Sequence, residues 1–169
     1  MKINIFLFVL FILNFAIVSG QKNTNDTLYS KSIVDIEIAT FKYLFKNNAS
    51  GLKQKATIYY LNIEGNYNKT LSDVIKELDS NKPKVKDINE FDTLSEEEKK
   101  KVKYLHFNIY SMKLENGIVH VNCGYYEGNL SSSENVISLV KKRKKWKVVS
   151  NEILWISNFY RYKIELMQS

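Results

Sequence analysis

Lys103-Tyr104-Leu105-His106-Phe107-Asn108-Ile109-Tyr110-Ser111-Met112-Lys113-Leu114-Glu115, then Asn116-Gly117, then Ile118-Val119-His120-Val121-Asn122-Cys123-Gly124-Tyr125-Tyr126 is the stretch that decides the fold. Two runs of alternating apolar and polar side chains flank Asn-Gly, the strongest short hairpin signal, because both residues of such a turn take positive φ. Residues 103–115 and 118–126 therefore read as antiparallel strands. With a two-residue turn, Glu115 opposes Ile118. The ladder then pairs Leu114 with Val119, Met112 with Val121, Tyr110 with Cys123, Asn108 with Tyr125 and His106 with Glu127, all on one face. One end of that face is aliphatic and the other polar.

Downstream, a polar loop over 127–133 leads to strands at 136–140 and 146–149, a second hairpin around a basic turn. Residues 151–156 extend the last strand, and 159–162 read as a fifth strand or a frayed end. Upstream, 56–63 is rich in β-branched and aromatic residues and reads as a strand. A helix capped by Ser30 or Ser32 runs to about Phe45. It is apolar on more than one side, as a helix buried against a sheet is. Asn47-Asn48-Ala49-Ser50-Gly51 suits a left-handed ending. Thr70-Leu71-Ser72-Asp73 opens a second helix, with Leu71, Val74, Ile75 and Leu78 at helical spacing. Pro83 closes that region and 80–103 reads as a linker, with a short third helix at the capping box Ser95-Glu96-Glu97-Glu98. Helices first and antiparallel strands after give an α+β fold, its N-terminal helices packed on a curved antiparallel β-meander.

The first twenty residues carry a different signal. Met1-Lys2 is a short positive start, 3–18 is almost unbroken hydrocarbon, and Ser19-Gly20 precedes Gln21. That is the layout of a secretory signal peptide cleaved after Gly20, with an uncleaved anchor as the alternative. The expectation is export, to the periplasm or beyond, of a single domain over 21–169. Cys123 is the only cysteine, so no internal disulfide forms, and its strand setting suits a buried thiol. The formal charge is +7. It is dominated by Lys, and no helix-turn-helix or base-stacking motif accompanies it, so nucleic acid is not the expected partner.

The ending Leu139-Val140-Lys141-Lys142-Arg143-Lys144-Lys145-Trp146-Lys147-Val148 resembles the final hairpin of NTF2-like domains, where a basic turn precedes a Trp entering the last core strand. That resemblance implies a cone, with the first helix as its long helix. The segments 35–51 and 124–133 are similar to small, uncharacterised exported bacterial proteins, a likeness that implies no activity. NTF2-like domains include isomerases, dehydratases and non-enzymatic binding modules, so the fold alone selects none of these.

Among candidate residues, His106 beside Glu127, walled by Tyr110, has the composition of an acid–base pocket. Glu37, Asn108 and Tyr125 are candidates for lining a ligand pocket, although Glu37 also fits a solvated stripe. His120 falls on the opposite face beside Lys113. Lys141, Lys142, Arg143, Lys144 and Lys145 form a basic surface, either a solvated tip or a contact for anionic lipid, cell-wall polymer or an acidic protein. No metal-ligand, phosphate-loop, nucleophile-elbow or dinucleotide motif occurs, and no cofactor is expected. The function expected from the sequence is an exported, non-catalytic binding protein, monomeric or homodimeric, for a small ligand or an envelope protein. The alternative is an isomerase- or dehydratase-type enzyme using the His–Glu pair.

Overall fold

A β-α-β unit and a four-strand meander share one sheet. In the computed structural model, residues 31–65, 70–79, 83–128 and 131–158 are described, so the signal segment, Ser30 and the tail 159–162 lie outside them. One compact unit starts at Val34. Residues 31–47 are helical (α1). Strand β1 (Ile58–Ile63), helix α2 (Leu71–Leu78) and strand β2 (Lys84–Asp87) follow, then the short helices α3 (Ile88–Asp92) and α4 (Glu96–Lys101). The meander is β3 (Tyr104–Glu115), β4 (Ile118–Tyr126), β5 (Ser131–Lys142) and β6 (Lys145–Asn158).

The sheet order is β2-β1-β3-β4-β5-β6. Strands β3 to β6 are antiparallel, but β1 runs parallel to both β2 and β3. The fold is α+β with a mixed sheet, so the expectation of a wholly antiparallel meander is corrected. Parallel neighbours need crossover connections, and the helices after β1 and after β2 provide them. Both β2 and α3 fall in the stretch read as a linker. Strand β2 has four residues and buries only Val85. Helix α3 has five, and the Asp87 side chain accepts from the Asn89 amide at its start.

One face of the sheet carries α1 and α2. Phe45 of α1 lies 4.7 Å from Tyr59 and 4.9 Å from Phe107, ring centre to ring centre. Leu71, Val74 and Leu78 of α2 join the same core, with Leu61, Ile63, Leu105 and Ile109. Helix α1 does not end in left-handed backbone, since none of residues 47–51 has positive φ. Instead the Asn48 amide donates to the Leu44 and Phe45 carbonyls at 2.9 and 3.1 Å. Ser32 is already inside the helix. The Ser95 capping box is present in full.

The Asn116-Gly117 turn takes φ of 50° and 79° and opposes Glu115 to Ile118, Leu114 to Val119 and Met112 to Val121. The register then slips at Tyr110. Ile109, not Tyr110, opposes Cys123, Phe107 opposes Tyr125, and His106 opposes Tyr126. Tyr110 is the extra residue of a β-bulge, and everything before it changes face. The cause lies in the apolar pattern: Leu105, Phe107 and Ile109 are odd-numbered, whereas Met112 and Leu114 are even. Only an inserted residue lets Met112 pack against the same core as Leu105, Phe107 and Ile109, with Leu114 on the same side beyond it. Gly124 lies on the other face, where a Cβ would sit 2.1 Å from the Ser133 carbonyl oxygen.

Candidate functional site

The bulge separates the two residues of the expected acid–base pair. Glu127 falls on the helix-bearing side, 5% exposed, where it accepts from Ser50 Oγ at 2.5 Å and Ser131 Oγ at 2.7 Å. His106 falls on the opposite side, packed 5.7 Å from Tyr60, 4.7 Å from Phe91 and 4.9 Å from Tyr104. Its Nε2 is buried without a hydrogen-bond partner, and burial lowers its pKa to about 4. It is therefore a neutral ring in an aromatic cluster near pH 7. The pocket of His106, Glu127 and Tyr110 is not assembled. Tyr110 instead accepts from Asn108 Nδ2 at 3.4 Å, and burial raises its pKa.

Glu37 is wholly buried rather than part of a solvated stripe. Thr70 Oγ1 donates to its Oε2 at 2.6 Å, while Oε1 has no partner. Desolvation raises the Glu37 pKa to about 7, against the opposing pull of Thr70. Tyr125 is also buried on this side, and burial raises its pKa. Asn108 stands across the sheet from both, so the structure does not bring the three ligand-pocket candidates together.

The side of the sheet opposite α1 is different around β4 to β6. One row crosses the strands as Asn108, Gly124, Glu134 and Trp155. Trp155 Nε1 donates to Glu134 Oε2 at 2.7 Å, and Asn122 Nδ2 donates to Glu134 Oε1 at 2.9 Å. These two hydrogen bonds lower the Glu134 pKa, so the carboxylate stays ionised. They also fix the indole, which remains 47% exposed; Tyr126, in the next row, is 42% exposed. Gly124 leaves the strip between Asn108 and Glu134 without a side chain, and Asn122 Oδ1 has no hydrogen-bond partner. The result is a preorganised surface with two exposed aromatic side chains and a carboxylate with lone pairs to spare. Its chemistry suits a ligand with an apolar face and hydroxyl or amide donors.

No family model, curated protein or solved structure matches the chain.

Of the residues on it, Asn108 and Tyr110 were sequence candidates; Asn122, Glu134, Tyr126 and Trp155 were not. The missed signal was the length of the last hairpin. Strands β5 and β6 have 12 and 14 residues, and only that length brings Trp155 opposite Glu134. Lys141 to Lys145 are all exposed at the β5–β6 turn, with Lys141 Nζ 5.8 Å from the Trp146 ring centre. Cys123 is buried and its thiol pKa is pushed up to about 12, which leaves it without thiolate character near neutrality. Among the described residues, no group of three or more His, Cys, Asp or Glu side chains is placed to hold a metal.

Proposed function

We propose that the chain is an exported, non-catalytic binding protein that holds a small amphipathic ligand on the open sheet face formed by Asn108, Gly124, Glu134 and Trp155. The observation that carries this reading is the pinned Trp155. An indole half open to solvent is held by a carboxylate that is itself held by Asn122. Fixing such groups before a ligand arrives lowers the ordering cost of binding. Export is supported by the charge–apolar–small-residue layout of residues 1–20. An NTF2-like relationship is supported by α1 lying against Tyr59 and Phe107 and by the β3–β6 meander. On the helix-bearing side Phe41, Leu105, Phe107 and Ile109 are fully buried, which is why the ligand is assigned to the other face. An isomerase or dehydratase using His106 and Glu127 draws no support from an arrangement that sets them on opposite faces.

The test is a titration of the protein with mono- and disaccharides and with aromatic alcohols, followed by amide and indole NMR shifts. Shifts centred on Trp155, Gly124 and Tyr126, and lost in Glu134→Ala, are expected. Shifts centred on His106 and Phe91, or no shift with any probe, would remove the open face as the site.

A further inference from the structure

The β5–β6 turn is built from residues that its backbone disfavours. Lys142 pairs with Lys145, which leaves a two-residue turn with Arg143 at φ 49° and Lys144 at φ 67°. Left-handed backbone is costly for a residue with a side chain, and turns of this type favour Asn-Gly, as this chain uses at Asn116-Gly117. Lys142 and Lys145 also stand directly opposite one another, where like charges repel. These local choices all oppose the hairpin, and they share one outcome: five cations exposed at its tip. Strain of this kind persists where side chains serve something other than the local fold.

The location of the tip narrows what it serves. Ile118 opposes Val140, so residues 141–146 project past the start of β4, beside the Asn116-Gly117 turn. The same end of the sheet carries Leu114, which at 68% is the most exposed large apolar side chain among the described residues. Cations alone fit any polyanion. Cations beside an exposed Leu fit a bilayer, where anionic headgroups overlie hydrocarbon. We propose that this end of the sheet docks on an anionic lipid surface, with Lys141 to Lys145 on the headgroup phosphates and Leu114 entering the interface. The contact is independent of the ligand face around Trp155.

The test uses the chain from Gln21 onward. This keeps the compact unit that starts at Val34 and removes the apolar stretch 3–18, which would bind lipid by itself. Sedimentation is measured with phosphatidylcholine vesicles and with vesicles containing about one third phosphatidylglycerol. Binding is expected only to the anionic vesicles and is expected to fall as salt rises. The double variant Lys142→Gln/Lys145→Gln should weaken it by about tenfold or more while leaving thermal stability unchanged or raised. Lys100→Gln/Lys101→Gln, at the other end of β3, should bind as the parent does. An environment-sensitive dye on Leu114→Cys, with Cys123 buried and unlabelled, should shift to the blue on anionic vesicles. The proposal is overturned by no binding to anionic vesicles, by equal loss in the two double variants, or by tight heparin binding with no dye shift on vesicles.

Discussion

Ser50, just past the end of α1, donates to Glu127 at 2.5 Å, and so joins the end of the helix to the turn between β4 and β5. Ser131 donates to the same Oε2 from the start of β5 at 2.7 Å. A buried carboxylate needs such donors, because leaving it short of one costs more than a typical hydrogen bond contributes. Ser50→Ala should therefore destabilise the fold by about 1–3 kcal/mol. Ser50→Ala/Glu127→Gln should cost less than the sum of the single changes, since the second removes the charge that the first leaves exposed to desolvation. Urea unfolding of the three variants measures both; strict additivity would show that the hydroxyl and carboxylate are not coupled.

Glu37 makes the protein less stable at neutral than at mildly acid pH. Its folded pKa is about 7 against an ordinary 4.5, so the folded state prefers the protonated carboxyl. Its contribution is fully favourable below pH 4.5, is lost as pH rises from 4.5 towards 7, and stays lost above that. The gap corresponds to about 3 kcal/mol. Glu37→Gln, which keeps an acceptor for Thr70, should leave stability unchanged near pH 4 and raise it by up to about 3 kcal/mol at pH 8. A stability curve parallel to that of the parent protein would contradict the raised pKa.

His106 acts in the other direction. Its folded pKa of about 4 lies below the ordinary 6.5, so protonation favours the unfolded chain. Stability is full above pH 6.5 and falls as pH drops from there through 4, by at most about 3 kcal/mol. His106→Phe fits the ring cluster of Tyr60, Phe91 and Tyr104 and should flatten the acid limb. NMR titration of the His106 ring protons gives the direct reading, with no protonation expected at pH 6.

Gly124→Ala should be among the most damaging single changes. The new Cβ would lie 2.1 Å from the Ser133 carbonyl oxygen, a backbone atom that moves only if β4 and β5 separate. A loss above about 3 kcal/mol is expected at this buried position of a central strand, at the high end for a single substitution. Hydrogen exchange should localise the damage to the β4–β5 ladder.

The β3–β4 hairpin shows how far local pattern reaches. Asn116-Gly117 set the turn and the first pairs beyond it, because turn geometry and strand alternation are local properties. Four strands after the helices, the Ser95 capping box and a buried Cys123 were legible for the same reason. The bulge at Tyr110 was written in the shift from Leu105, Phe107 and Ile109 to Met112 and Leu114, but strict pairing passed over it. One extra residue was enough to move His106 and Asn108 to the other face.

What tertiary structure alone decided were the partners of residues far apart in the chain. The parallel placing of β1 between β2 and β3 depends on crossovers that helix propensity does not specify. Whether Glu37 met water or Thr70, and whether Glu127 met His106 or Ser50, depended on which elements packed over each face. The sequence by itself determined most of the elements, though not β2 or α3, together with the α+β class and the charge of the last turn, because these follow from neighbours along the chain. The structure decided that Trp155 stands on Glu134, because that contact exists only when two long strands align across about twenty intervening residues.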